Sequence, residues 1–414
     1  MTRRSLEIIK EPFNVSTAEM RKLAKIFRSE MDKGLSGRKS SLKMIPTYAK
    51  RPDGTEKGKF IALDLGGTNF RIMELQLKGS GRMGLPRVQK FKLSKKHIDG
   101  SGDIFFGFIA GCLKDFLIKN KELGKTRRLG FTFSFPVKQT GIASGRLISW
   151  TKGFKTRGVV GRDIVGLLQA ALIKKGIRRV KVAALLNDTV GTLAAKSYGD
   201  KNCDVGVIIG TGTNACYAEP ALSGEIVNTE WGNFNKIRRT AFDILADSQS
   251  DRPGEQVLEK MVSGMYLGEI AKMVIKAHVL PGLKHLNAEE MSAIESDRSK
   301  SLAITKKVLK KAGVRDTTPK ERFQCREIAR AISLRGARLS AACLTAIIKK
   351  MDPSVSKRHT IAIDGSVYEK HPFFANNIKA ALKDVLGLRA ANIKVMLAKD
   401  GSGTGAAVTA AAAG

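Results

Sequence analysis

The chain has 414 residues, 43% of them hydrophobic, with a formal net charge of +35 and five cysteines. That is length for two or three domains and enough apolar residue to bury a core. No run of 18 consecutive apolar residues predicts a membrane span, the N-terminus carries no secretory pattern, and the scattered cysteines read as reduced thiols in a cytoplasm. The positive charge allows polyanion binding or attraction of an anionic substrate. Its clusters near 94–97, 173–181 and 304–311 are short and lie beside amphipathic patterns, so lysines spread over solvated faces are the plainer reading.

In chain order, 16–33 predicts an amphipathic helix behind a Ser16–Glu19 capping box. Residues 36–58 form a polar connector. Strands are expected at 60–65, 70–77, 89–93 and 129–135, and a helix at 162–176. A buried strand at 180–186 leads into a helix at 189–199. Two strands joined by a tight turn fill 204–220. One long helix entered by Pro253 is expected over 254–278, with helix-rich chain over 287–349. A strand at 359–364 follows, and an alanine-rich helix after "DGSGTG" ends the chain. Strand–helix alternation occurs twice, which suggests two α/β halves.

"FIALDLGGTNFRIMELQL" (60–77) places Asp64 near the end of an apolar strand, ahead of Gly66, Gly67, Thr68 and Asn69. It lacks the Gly-Lys-Ser/Thr of a P-loop, and no helix follows. A turn between two strands can still hold phosphate on its backbone N–H groups. A plain hairpin is the alternative. The buried carboxylate needs a partner, and hydrated Mg²⁺ is one. "VIIGTGTNACY" (207–217) repeats the strand, Gly-Thr turn and strand, a weak internal repeat. "GSGRMG" (79–84) fits G-x-G-x-x-G in letters only and reads as a flexible loop.

"ALLNDTVGT" sets Asn187 and Asp188 where a buried strand meets a helix. Asp188 is either a helix cap or a general base at the carboxyl end of a strand. "SFPVKQTGIASGRLISWTKGF" (134–154) mixes polar residues with Trp150 and Phe154, a composition suited to a sugar or to an ordinary surface loop. "NTEWGNF" (228–234) gathers Asn, Glu and Trp. Glu255 and Glu259 are spaced one helical turn apart, the usual pattern of solvated charges. The five histidines show no zinc spacing, and G-x-S-x-G is absent.

Taken in order, these segments resemble the hexokinase family from residue 40 to the C-terminus. "DLGGTNFR" (64–71) and "GTGTNACY" (210–217) resemble its two phosphate motifs. "LGFTFSFPVKQTGIASGRLISWTKGF" (129–154) resembles its sugar signature, "LLNDTVGTL" its catalytic segment, and "IAIDGSVYEKHPFF" (361–374) its adenosine-side motif. The resemblance implies an α/β, actin-like (ribonuclease H-like) two-domain fold with a central cleft. The small domain would be 58–186 plus 400–414, the large domain 1–57 plus 187–399. It implies ATP-dependent phosphorylation of a hexose at the 6-hydroxyl, with ATP and Mg²⁺ as cofactors. Asp188 would be the base and Lys152 the catalytic cation. Ser134, Phe135, Thr151, Lys152, Asn187, Asp188, Asn214, Glu230 and Glu259 would bind sugar. Asp64, Gly66, Gly67, Thr68, Asn69, Arg71, Thr211, Gly212, Gly365, Ser366 and Ser402 would surround ATP, with Asp64 toward Mg²⁺ through water. The chain reads as one catalytic unit with no specific nucleic-acid or membrane partner, located in the cytoplasm. An actin-like ATPase or a non-catalytic sugar sensor is the alternative. The stretch 295–314 matches loosely, and the charge is unlike a typical member.

Overall fold

The computed structural model describes residues 3–67, 69–151 and 153–413. Its strands in chain order are β1 (Ile45–Lys50), β2 (Lys57–Leu65), β3 (Asn69–Gly79), β4 (Arg82–Met83), β5 (Arg87–Lys92), β6 (Arg127–Phe133), β7 (Val137–Gly141) and β8 (Ser144–Leu147). There follow β9 (Val180–Leu186), β10 (Cys203–Ile209), β11 (Thr213–Glu219), β12 (Glu225–Asn228), β13 (His359–Asp364) and β14 (Ile393–Leu397). They form two six-stranded sheets. One runs β4-β3-β2-β6-β9 with β5 also paired to β3, the other β1-β12-β11-β10-β13-β14, and β7 and β8 make a separate hairpin. In both sheets two parallel pairs at one end adjoin antiparallel pairs at the other. The weak sequence repeat is therefore a repeat of structure, because β2–β3 and β10–β11 are both antiparallel hairpins with a Gly-Thr turn.

The helices that position the site are α1 (Thr17–Leu35), α2 (Ile164–Lys174), α3 (Asp188–Ser197), α4 (Val257–Val262), α5 (Gly264–His278), α6 (Pro319–Met351) and α7 (Gly401–Ala412). The expected Ser16–Glu19 capping box starts α1: Glu19 N–H donates to Ser16 Oγ at 3.2 Å, and Ser16 N–H to Glu19 Oε2 at 2.7 Å. Helix α6 has the length and apolar composition of a membrane span, yet it is a core helix, with 83% of its apolar window buried. Its Arg335 makes two 2.7 Å bonds to Asp243, both side chains being buried.

Four local expectations change. The connector 36–58 contains β1, which pairs with β12. The single helix over 254–278 is two helices broken at extended Ser263, and Pro253 and Glu255 lie ahead of the first. The break lets Gly264 N–H at the start of α5 donate to Gly210 O at 2.8 Å, so the new helix docks under the second Gly-Thr turn. "GSGRMG" is a tight hairpin tip: Gly81 N–H donates to Gly54 O at 2.9 Å, and Gly79 N–H to the Tyr198 hydroxyl at 3.0 Å. That hydroxyl in turn donates to Glu56 O at 2.8 Å. The last helix takes in the glycine run, starting at Gly401 behind left-handed Asp400.

The two sheets meet through α3 and α7. A Cβ on Gly405 would lie 1.8 Å from Gly191 O, and one on Gly191 2.7 Å from Ser402 O. Helix α3 is seated equally closely on β10 at Gly206, where a Cβ would lie 2.5 Å from Thr189 O, and α7 on β6 at Gly130, 1.8 Å from Ala406 O. An apolar cluster drawn from both sheets (Met73, Leu186, Val190, Cys216, Ala362, Ala407) surrounds this crossing. We predict that Gly405→Ala, which sets a methyl against rigid backbone, destabilises the fold by at least about 3 kcal/mol in chemical unfolding.

At the far end of the second sheet, buried His359 lies between Asp204 (Nδ1···Oδ2 2.6 Å) and Asp352 (Nε2···Oδ2 3.5 Å). Burial opposes charge on both His359 and Asp352. The aspartates nevertheless raise the histidine above its ordinary 6.5, and Lys357 N–H, Ser354 and His359 hold Asp352 well below 3.8. The histidine's contribution is complete below 6.5 and fades as pH rises through its raised value. The aspartate's is complete above 3.8 and fades as pH falls. Stability from this cluster therefore peaks between those limits. Thermal unfolding across pH should show His359→Leu losing most of its deficit on the alkaline side.

Candidate active site

The β2–β3 hairpin holds Asp64 directly opposite Arg71. The buried Asp64 carboxylate accepts Arg71 Nε at 3.1 Å and Ser402 Oγ at 2.8 Å on Oδ2, and Arg71 Nη2 bonds the same oxygen. Arg71 also pairs through Nη1 with Asp400. Burial would lower the guanidinium pKa, but Asp64 and Asp400 raise it, so it stays charged. Thr132 Oγ1 donates to Ser402 O at 3.0 Å and fixes the start of α7 beside the hairpin. The direct partner of Asp64 is thus a cation of its own hairpin.

Asn187, not Asp188, caps α3: its Oδ1 accepts Val190 N–H at 3.0 Å and the Thr189 hydroxyl at 2.8 Å. Asp188 is the first helical residue, half-buried, and its Oδ1 accepts Thr189 N–H at 2.9 Å. A carboxylate at this end is favoured by the helix dipole.

Two Asp-Gly-Ser turns complete the rim. Asp364 ends β13, accepting Gly365 N–H at 2.7 Å and Gly401 N–H at 3.1 Å, and so ties one turn to the other. Burial pushes the Asp364 carboxyl up, against those two bonds. A cavity of about 590 Å³ is lined by the expected residues Asp64, Gly66, Asn69, Arg71, Ser134, Asp188, Gly365 and Ser402. Phe70, Lys90, Ile208 and Asp364 line it too and were not foreseen. For Asp364 the signal was present, since Asp-Gly-Ser stands at both 364 and 400.

Asn214, Glu230 and Glu259 form a second group beside Ile208, whose register partner is Asn214. Glu259 Oε2 accepts Thr213 N–H at 2.9 Å, and Asn214 Nδ2 donates to Glu230 Oε1 at 2.8 Å. Glu230 is left-handed (φ +51°). Trp231 of the same loop is fully buried and donates to Thr213 Oγ1 at 2.9 Å, so it supports the turn from behind. Thr211 and Gly212 form the turn itself, Gly67 sits in its own turn and Ser366 opens a short helix, all four outside the cavity lining.

The aromatics of 134–154 pack against one another. Trp150 stacks on Phe154 (5.4 Å), meets Phe135 edge-on (4.9 Å) and donates its indole N–H to Thr156 O at 2.8 Å. They anchor a loop whose Ser134 N–H reaches Leu65 O at 3.1 Å, with Thr151 on its far arm. Thr68 and Lys152 lie outside the described residues.

Asp64, Asp188, Asp364 and Ser402 put only oxygen donors toward the cavity, the chemistry of a hard cation. No cluster of three His, Cys, Asp or Glu among the described residues makes a protein cage. The set fits Mg²⁺ carried largely by water and phosphate.

Two linked α/β halves with acidic strand ends around one cleft define the actin-like fold of sugar and phosphoryl-transfer kinases. Residues 5–198 and 204–412 match the two hexokinase family models. The chain is 42% identical to hexokinase-2 of Oryza sativa subsp. japonica, over 95% of this chain and 88% of that one. It is 36% identical to hexokinase-2 of Equus caballus, over 96% of this chain and 47% of that one, and so spans about half the length of that relative. The solved hexokinase of Schistosoma mansoni, complexed with glucose, superposes with a TM-score of 0.85 at 35% identity, covering 99% of this chain and 98% of that one. The chain belongs to the hexokinase family.

The Asp64–Arg71 pair gives a direct test. Arg71→Met should destabilise by about 3 kcal/mol, because it leaves a buried carboxylate without its cation. Adding Asp64→Asn should restore much of that loss in a double-mutant unfolding cycle.

Proposed function

We propose that this chain transfers the γ-phosphoryl of ATP to the 6-hydroxyl of a hexose, glucose being the first candidate. The observation that carries the reading is Asp188 at the mouth of α3, in the same cavity as the Asp64–Arg71–Ser402 cluster and the Asp364–Gly365 turn. A primary alcohol is a weak nucleophile, so the Asp188 carboxylate would accept its proton as the new P–O bond forms. Phosphoryl transfer otherwise needs alignment and charge. Cationic Arg71 would lie beside the phosphates, and backbone N–H groups of the 66–69 turn and of Thr211 and Gly212 would meet phosphate oxygens. Thr68, Asn69, Thr211, Gly212, Gly365, Ser366 and Ser402 complete that side, with Lys152 as the second catalytic cation.

The sugar would be held by Ser134, Thr151, Asn187, Asn214, Glu230 and Glu259. Asn187 has its Oδ1 engaged in the cap and would offer Nδ2. Phe135 has its ring in the aromatic cluster and would act through its backbone. Mg²⁺, when bound, would neutralise charge on the phosphates, its waters held by Asp64, Asp188, Asp364 and Ser402.

The functional units follow as a small domain of 58–186 plus 400–414 and a large domain of 1–57 plus 187–399. Closing one on the other around sugar would exclude water, the competing acceptor. A reducing cytoplasmic setting agrees with five free buried cysteines, whose thiols burial pushes up, to about 11 for Cys112 and about 12 for Cys203 and Cys325.

Coupled ADP release over a hexose panel tests the proposal. Asp188→Ala should lower kcat by roughly 10²–10⁴-fold while sugar KM changes far less. Wild-type chain without hexose-stimulated ADP release would sink the kinase reading. Near-normal turnover by Asp188→Ala would sink the base assignment.

A further inference from the structure

Behind Glu230 stands a residue that the sugar site as described does not include. Asn228 is the last residue of β12, in register with Cys216 of β11 and Ile45 of β1, and only 7% exposed. Its Nδ2 donates to Glu230 Oε1 at 2.7 Å, and its Oδ1 accepts Asn214 Nδ2 at 2.8 Å. Asn214 Nδ2 also donates to Glu230 Oε1, at 2.8 Å, so the three side chains close a triangle.

The bonding leaves one orientation for each amide. Asn214 Oδ1 is engaged by the Ala215 N–H at 2.7 Å, which turns its NH₂ toward the other two residues. Asn228 must then show oxygen to Asn214 and NH₂ to Glu230. Glu230 Oε1 receives two N–H donors, while Oε2 makes no hydrogen bond among the described residues. The backbone of Glu230 is left-handed without being glycine, a conformation that persists only where its surroundings hold it.

We infer that Asn228 is a positioning residue for the hexose: it touches no substrate, and acts by fixing the Glu230 carboxylate so that Oε2 accepts a hydrogen bond from one sugar hydroxyl. This rests on the sugar-kinase reading above. A substrate without that hydroxyl leaves a partly buried carboxylate oxygen unpaired, so the triangle is a specificity device as well as a brace. The other account is that Asn228 only secures the end of β12. It predicts lost stability with no preference among sugars.

Steady-state kinetics on the full chain separate the two, using glucose and each monodeoxy-glucose with wild type, Asn228→Ala, Glu230→Gln and the double variant. Glucose KM should rise about tenfold in Asn228→Ala, a 1.4 kcal/mol effect, with kcat within about threefold of wild type. The deoxy position at which Glu230→Gln abolishes discrimination should be the position at which Asn228→Ala abolishes it. The double variant should be no worse than Glu230→Gln alone, because both act through one contact. Asn228→Asp is nearly isosteric and sets an oxygen against Oε1. It should raise KM further while keeping the thermal midpoint closer to wild type, and it carries the same comparison if Asn228→Ala does not fold. Unchanged glucose KM, an equal loss for every sugar, or additive losses in the double variant would overturn the inference and leave the kinase reading standing. Absence of hexose-stimulated ADP release in wild type would instead remove both.

Discussion

The contact between Gly191 and Gly405 is the constraint on which the rest of the molecule depends. Two helices approach there until backbone meets backbone, with no room for a side chain on either. Helix α3 is pressed on β10 of one sheet and α7 on β6 of the other, so a single crossing fixes how the two α/β halves stand to each other. It also brings the starts of both helices to one place. Asp188 opens α3 and Ser402 lies in the first turn of α7, and both reach the same cavity without any loop having to span the cleft.

Clustering carboxylates at such a place is costly, and the surroundings show how the cost is met. Asp64 has the guanidinium of Arg71, Asp364 has two backbone N–H groups, and Asp188 has a backbone N–H and the positive end of α3. Each carboxylate lies at or just after the carboxyl end of a parallel strand, the edge where open α/β sheets expose ligand sites. The anionic rim would repel bare triphosphate. Arg71, held charged beside Asp64 and Asp400, offsets part of that repulsion.

Much of this was legible before any coordinates. The hairpin at 60–77 reads from its glycines and flanking apolar runs, and Asp64 and Arg71 even carry the separation that sets them opposite across the turn. The Ser16–Glu19 cap is a local device and was readable as one. What escaped depends on distant chain. The break at Ser263 exists because α5 docks on the Gly210 carbonyl, and no periodicity encodes that. Trp150 and Phe154 have the composition of a sugar platform but find aromatic neighbours first. The left-handed backbone at Glu230 is enforced by side chains from two strands. The +35 charge shows one local use: outer strand β5 sets Arg87, Lys90 and Lys92 exposed along a sheet edge, which discourages pairing with another strand.

Tyr198 sits at the opposite end of α3 from Asp188. Its hydroxyl is shared by the β3–β4 tip of the first sheet and by Glu56, just ahead of β2. Helix α3 is therefore held at one end by the hairpin tip of the first sheet, while its flank rests on β10 of the second. A rotation of one sheet against the other would have to break these contacts or carry the helix with it. In the second case the Asp188 carboxylate at its tip would swing through an arc set by the helix's own length.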